Sequence, residues 1–275
     1  MPVSHSTKGP IFSVFISICV TSTLAVALSG CGKPSASATL AATGDTLTSG
    51  TWAKQTVLAS ESSAMGITSN SKIERILLVT VTKQGDTLAT SEQACDANSI
   101  SSGGTSLVFP DAFKHMLPVR KAAFKITTDA KGTTLAGTQA VEVLGAKLTD
   151  PVKDPLPTNA DNAAVFDQDG DGKPGVTVKI SVSALFINIS GQVYLTQRTL
   201  TQETGHLESA DIIRGNISWS TDQKIIGSDS TILGAVQPSI KALPDASVFT
   251  MRKISDTDTC ATILSRKDKL FDAVK

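Results

Sequence analysis

Val176, Val178, Ile180 and Val182 alternate with Thr177, Lys179, Ser181 and Ser183, so one side of this segment is aliphatic and the other polar. A period of two in β-branched residues predicts a half-buried strand. The apolar phase then moves to Leu185, Ile187 and Ile189. A one-residue shift exchanges the two faces, which predicts a bulge or bend near Ala184. Ser190-Gly191-Gln192 reads as a turn into a further strand over 193–201. Ile213, Gly215, Ile217 and Trp219 alternate with Arg214, Asn216 and Ser218, and 73–83 is apolar on both faces, as a central strand would be. Shorter strand candidates lie at 124–127, 139–144 and 247–254. Two helices are expected. One starts at Pro110, with Phe109, Phe113 and Leu117 along one side. The other covers 259–271, with Asp258 as its cap. Strands that follow one another without helical crossovers imply antiparallel pairing. The expected fold class is mainly β: an antiparallel β-barrel or sandwich with a short C-terminal helix.

The N-terminal pattern is different. An uncharged apolar run over 11–28 follows a short head whose one Lys or Arg is Lys8. This is the pattern of a secretory signal peptide with small residues at its cleavage end. The run is also near the lower limit for a spanning helix. It contains Ser13, Ser17, Thr21, Ser22 and Thr23, however, and no cationic stop-transfer cluster follows. Its end, Leu28-Ser29-Gly30-Cys31, resembles the lipobox of bacterial lipoproteins. The resemblance implies cleavage before Cys31, lipid on the Cys31 sulfur and an acylated amino group, hence a membrane partner through the N-terminal lipid. Several acyl chains hold far more firmly than one. Gly32 stands where an Asp would imply retention at the inner membrane. The implied location is the cell envelope, at the outer membrane if the host is Gram-negative. The expected organisation is a signal peptide (1–30), a flexible Ser/Ala/Thr/Gly-rich tether (31–50) and a single β-rich domain (51–275) with a Pro-rich loop at 150–162.

Charge and cysteine usage narrow the picture further. All 25 Asp and Glu residues and all but one of the 25 Lys and Arg residues lie beyond residue 30, without a block of one sign. A nucleic-acid partner needs a basic face, and none is present. Of four cysteines, Cys19 falls within the signal segment and Cys31 within the lipobox. Cys95 and Cys260 remain as an even pair in an oxidising compartment, which predicts a disulfide. Closing a loop of about 165 residues would stabilise the fold by roughly 4–5 kcal/mol on the chain-entropy model.

The sharpest internal motif is Asp167-Gln168-Asp169-Gly170-Asp171-Gly172-Lys173-Pro174-Gly175. Carboxylates at alternate positions with glycine at the sixth can wrap a hard cation, making Asp167, Asp169 and Asp171 candidate ligands for a structural calcium ion. The motif resembles calcium loops of the EF-hand, dockerin and FG-GAP kinds. It departs from them at Gly175, where FG-GAP loops carry an acid, and at Val178, where EF-hands carry a bidentate Glu. An Asp/Gly-rich turn without an ion is the alternative. Gly50-Thr51-Trp52 resembles the Gly-x-Trp opening of lipocalins, and Arg252 lies where that family packs an Arg on the Trp. That resemblance implies a barrel with a ligand cavity, and a disulfide like Cys95–Cys260 is common in the family.

Catalytic patterns are missing. No Gly-x-Ser-x-Gly elbow, P-loop or dinucleotide fingerprint occurs, and Glu203 with His206 lacks the second histidine of a zincin helix. With one Tyr and two Trp, the chain is also poor in the aromatic platforms that sugar sites use. An enzyme is therefore disfavoured. The expected role is a lipid-anchored binding or interaction module for a small apolar ligand or an envelope protein. The alternative is a structural envelope lipoprotein with a calcium-stapled loop.

Overall fold

In a computed structural model, which describes residues 46–272 and 274 apart from 65, 185 and 186, the alternating segments become twelve antiparallel strands. The signal segment, Cys31 and residues 32–45 of the tether lie outside the described residues. Three long strands open the domain: β1 (Gly50–Ala64), β2 (Ile67–Gln84) and β3 (Thr87–Ser101). A short β4 (Thr105–Val108) and helix α1 (Asp111–Met116) follow, then β5 (Arg120–Asp129), β6 (Gly132–Gly137) and β7 (Ala140–Leu144). After the Pro- and Asp-rich loops come β8 (Val176–Ala184), β9 (Ile187–Ser209) and β10 (Ile212–Ser228). The chain ends with α2 (Thr231–Gly234), β11 (Ser239–Ala242), β12 (Val248–Lys253), α3 (Cys260–Ser265) and α4 (Lys267–Leu270).

Eight of these strands close a ring. The order β1-β2-β3-β5-β6-β9-β10-β12 returns to β1 through the register Trp52↔Lys253 to Val57↔Val248. Closure decides between the barrel and the sandwich in favour of the barrel. Ring neighbours follow chain order, and β4, β7, β8 and β11 are excursions from it. An eight-stranded barrel has an interior that side chains can fill, or that can hold one small ligand. Here the two ends differ. At the end near Trp52, the inward side chains of Trp52, Val79, Leu88, Phe124, Leu135, Ile213, Phe249 and Met251 are all buried in one cluster. Gly205 faces Gly215 across β9 and β10. A Cβ on Gly205 would lie 2.8 Å from the Phe249 ring, and one on Gly215 2.6 Å from it, so both glycines make room for that ring.

Beyond the ring, β1, β2, β3, β9 and β10 continue. β8 pairs with the first half of β9, β4 with β8, and β11 with the end of β1. These additions widen the barrel into a cup. Its aliphatic wall contains Val176, Val178, Val193, Leu195 and Ile225, capped by Phe113 of α1 and Leu233 of α2.

Several expectations need correction. The phase change at Ala184 marks a hairpin rather than a bulge, because Ala184 pairs with Ile187. Ser190-Gly191-Gln192 is not a turn, and β9 runs straight through it. Gly191 answers a close approach instead: a Cβ there would come within 2.6 Å of Asp229 Oδ1, and Asp229 accepts the Gln192 N–H at 2.7 Å. The C-terminal helix is two short helices broken at Arg266, and its cap is Thr259, which forms a capping box with Thr262. Asp258 instead accepts the Ser255 N–H and pairs with Arg266.

Cys95 and Cys260 are bonded, with Cα atoms 5.1 Å apart. The bond fixes the start of α3 to β3, and Ile263 and Phe271 pack with Ala53 and Ile76 on the outer side of the sheet. The Pro-rich stretch lies within the same compact unit as the barrel. Arg198 of β9 donates to the Val152 and Asp154 carbonyls at 3.0 and 2.7 Å, and Thr196 donates to that of Pro157 at 3.1 Å.

Candidate ligand cavity and the acidic loop

Inward positions on β1 pass from Trp52 through Lys54 and Thr56 to Leu58, Ser60 and Ser62. Trp52 belongs to the packed end and Leu58 packs against it, while Thr56, Leu58, Ser60 and Ser62 also line the space above. Above Lys54 the barrel encloses a cavity of about 240 Å³, lined mainly by apolar side chains. Its volume is just below the ~300–1,000 Å³ usual for ligand pockets.

A buried charge cluster forms the floor. Lys54 Nζ donates to Glu92 Oε1 at 2.8 Å and to both Glu203 oxygens at 2.9 and 2.7 Å. Arg120 donates to Glu92 Oε2 through Nε at 2.9 Å, to Glu203 Oε1 at 2.7 Å and to the Thr201 hydroxyl at 3.0 Å. Thr90 donates to Glu92 at 3.1 Å. Lys54 and Glu92 are fully buried. Below the cluster, Lys54 Nζ lies 5.2 Å from the Phe249 ring centroid, a favourable cation–π placement. Burial alone would push the Glu92 carboxyl up. The Lys54 ammonium and Arg120 guanidinium outweigh it and hold Glu92 at about 2. Burial also works against the Arg120 charge, yet Glu203 and Glu92 raise its pKa above the usual guanidinium range.

A second pair stands higher on the wall. Arg75 of β2 donates to both oxygens of Glu142 on β7, at 2.9 and 2.7 Å. Burial opposes ionisation of Glu142, but Arg75 holds its carboxyl below the usual range. The β1–β2 side then presents paired hydroxyls: Ser60 with Ser71 at 2.9 Å and Ser62 with Ser69 at 3.2 Å. The opposite side, from β4, α1 and β8, is aliphatic and aromatic. The arrangement can hold an apolar body while offering hydrogen bonds along one side and at the base.

The acidic loop lies outside this cavity's lining. Asp167, Asp169 and Asp171 bring one oxygen each within 4.8 Å of one another. Most of their oxygens already have partners. Asp167 accepts the N–H groups of Gly170, Asp171 and Gly172 at 2.7, 3.2 and 2.8 Å. Asp171 accepts from the Thr177 hydroxyl at 2.6 Å, and Asp169 Oδ2 from the Thr177 N–H at 2.9 Å. Asp169 Oδ1 is buried with no partner. Burial, then the neighbouring Asp171 and Asp167 charges, push the Asp169 carboxyl up, against the Thr177 N–H. A cation would fit that oxygen and relieve the repulsion. The positive φ angles of Gly170 and Gly172, 70° and 81°, suit the tight winding of the loop.

Sequence reasoning brought Glu203 and His206 together as a failed metal pair. On a strand, residues three apart face opposite sides. Glu203 is buried inward and His206 is exposed. The residues it missed are Lys54, Arg75, Glu92, Arg120 and Glu142. A signal existed in Lys54, a charge between Trp52 and Leu58 on one strand face, but it becomes visible only once the inward face of β1 is known.

No family model matches the chain, and comparison with curated proteins and with solved structures finds no match either.

Proposed function

We propose that this chain is a lipid-anchored envelope binding module that carries a small, largely apolar ligand in the upper half of its barrel. The cavity carries this reading. The lower half is filled by the buried cluster around Trp52 and Phe249, whereas the upper half keeps an apolar space, at the cost of dispersion contacts that a filled interior would make. The up-and-down order of the eight ring strands is also the order used by lipocalin barrels, which hold single small ligands. Anchoring rests on the lipobox resemblance at Cys31. Asp167, Asp169 and Asp171 are proposed as a weak structural calcium site, supported by the orphan oxygen of Asp169.

Native mass spectrometry of the purified protein tests the binding role. The expected spectrum shows a copurified small molecule, or uptake of an uncharged naphthyl probe at a one-to-one ratio. Ala94→Phe, which projects a ring from the cavity wall, is expected to abolish that uptake while circular dichroism stays unchanged. A protein that arrives empty and takes up no apolar probe would leave the structural role in its place.

A further inference from the structure

The ionisable side chains that line the cavity are Arg75, Glu92, Arg120, Glu142 and Glu203, with Lys54 bonded to two of them from beneath. They form three cations and three anions, and every one is engaged with an opposite charge inside the barrel. Both Glu92 oxygens accept bonds, one from Lys54 and Thr90, the other from Arg120. Both Glu203 oxygens accept from Lys54, and one also from Arg120. An ionised ligand head placed here would find no uncompensated partner. It would either remain buried and unpaired or break an existing pair to make its own.

Uncharged polar groups meet the opposite situation. The Nε–H of Arg75 is buried without a partner, although the terminal nitrogens of the same guanidinium are committed to Glu142. A hydroxyl, ester or amide oxygen could satisfy such a donor without disturbing the charge balance, once it displaces the atoms that now cover it. The Ser60–Ser71 and Ser62–Ser69 pairs extend the same offer. When one hydroxyl of a pair donates to the other, the acceptor still has its own proton and a lone pair to give. Such groups are neutral and amphoteric, and recognise hydroxyls and carbonyls rather than ions.

We propose that the cavity selects an uncharged amphiphile. The apolar body lies against the β4–α1–β8 wall, hydroxyl, ester or amide groups face the serine pairs and Arg75, and an ionised head is rejected. This rests on the binding-module reading and names the ligand class for it.

The test is competition at neutral pH on the purified full chain. 1-Decanol, decanoate and decylammonium displace a bound uncharged probe, N-phenyl-1-naphthylamine, below the micelle concentrations of the two ions and the solubility limit of decanol. The three share a chain and differ only in the head. Decanol is expected to bind at least about tenfold more tightly than either ion, equivalent to roughly 1.4 kcal/mol. Glu203→Gln leaves one cation in surplus at the floor, so it is expected to improve decanoate relative to decanol and to worsen decylammonium. Glu142→Gln, which frees Arg75, provides the same readout if the first variant does not fold. Decanoate equal to or tighter than decanol in the unmodified protein overturns the selection, as does an unchanged decanoate-to-decanol ratio in a folded variant. In both cases the probe has bound, and the binding-module reading stands. Failure of the probe and all three competitors to bind removes both.

Discussion

Replacing Lys54 by Met isolates the energetics of the cavity floor. The substitution removes three hydrogen bonds of 2.7 to 2.9 Å and leaves Glu92 and Glu203 sharing Arg120 alone. One buried negative charge is then uncompensated. Removing one partner of a buried ion pair destabilises by roughly 3–5 kcal/mol. For a domain of this size each kcal/mol lowers the melting temperature by about 2–4 °C, so the expected fall is about 6–20 °C. The double variant Lys54→Met with Glu203→Gln restores neutrality around Arg120 and Glu92. It is expected to recover at least about 1 kcal/mol relative to additive single effects, the size of coupling seen between contacting residues. Acid gives an independent reading. Glu92 ionises at about 2 in the fold against an ordinary 4.5. A depressed carboxyl contributes stability that is complete above its unfolded pKa and is lost as pH falls towards the folded value. In the unmodified protein this contribution, on the order of 3 kcal/mol, is therefore lost between about pH 4.5 and about pH 2. In Lys54→Met, Glu92 loses the ammonium that helps hold its carboxyl down, so its acid-sensitive contribution shrinks and the gap between the proteins narrows as pH falls. Urea unfolding at several pH values measures all three quantities. A loss below about 1 kcal/mol for Lys54→Met, or strict additivity in the double variant, would refute the picture of a tightly coupled buried cluster.

Three further outcomes are expected. Reducing Cys95–Cys260, or Cys260→Ser, lowers stability by up to about 5 kcal/mol on the chain-entropy model for its 165-residue separation, and hydrogen exchange shows α3 loosening first. An unchanged melting temperature under reductant would contradict this. Millimolar calcium raises the melting temperature more than magnesium does, and Asp169→Ala abolishes the rise. Equal shifts in variant and unmodified protein would mean general ionic stabilisation, with the loop acting only as a turn. Cys31→Ser blocks lipid attachment and leaves unprocessed precursor, as shown by metabolic acyl labelling and fractionation. Normal cleavage and membrane association of that variant would end the lipobox reading.

Secondary structure was legible where residues alternate, and illegible where both faces of a strand are covered. The period of two over 176–182 and 213–219 marked β8 and β10 because one side of each is more buried than the other. β1 carried little signal, because both sides are covered around Ala53 and Lys54: barrel interior within, α3 and α4 without. The disulfide was legible from the even count of remaining cysteines and the oxidising compartment that the signal-peptide reading implies. The charge cluster was not, since Lys54, Glu92, Arg120 and Glu203 come from four strands as far as 149 residues apart. Glycine proved ambiguous. In the acidic loop it supplied turns, whereas at Gly191 it marked a strand approached closely by Asp229. Local sequence distinguishes these poorly, because the reason for the second lies in a distant residue.

The ring's closing seam has a consequence for biogenesis. β1 pairs with β2 and with β12, so the strand made first is completed by a strand some 200 residues later. Until Lys253 is available, no hydrogen-bonded partner exists for the outer edge of Trp52 to Val57, and the barrel cannot close. Contacts of such long sequence separation form slowly. The topology that surrounds the cavity thus also delays closure until β12 arrives, and until then the seam exposes an unpaired edge able to pair with another chain.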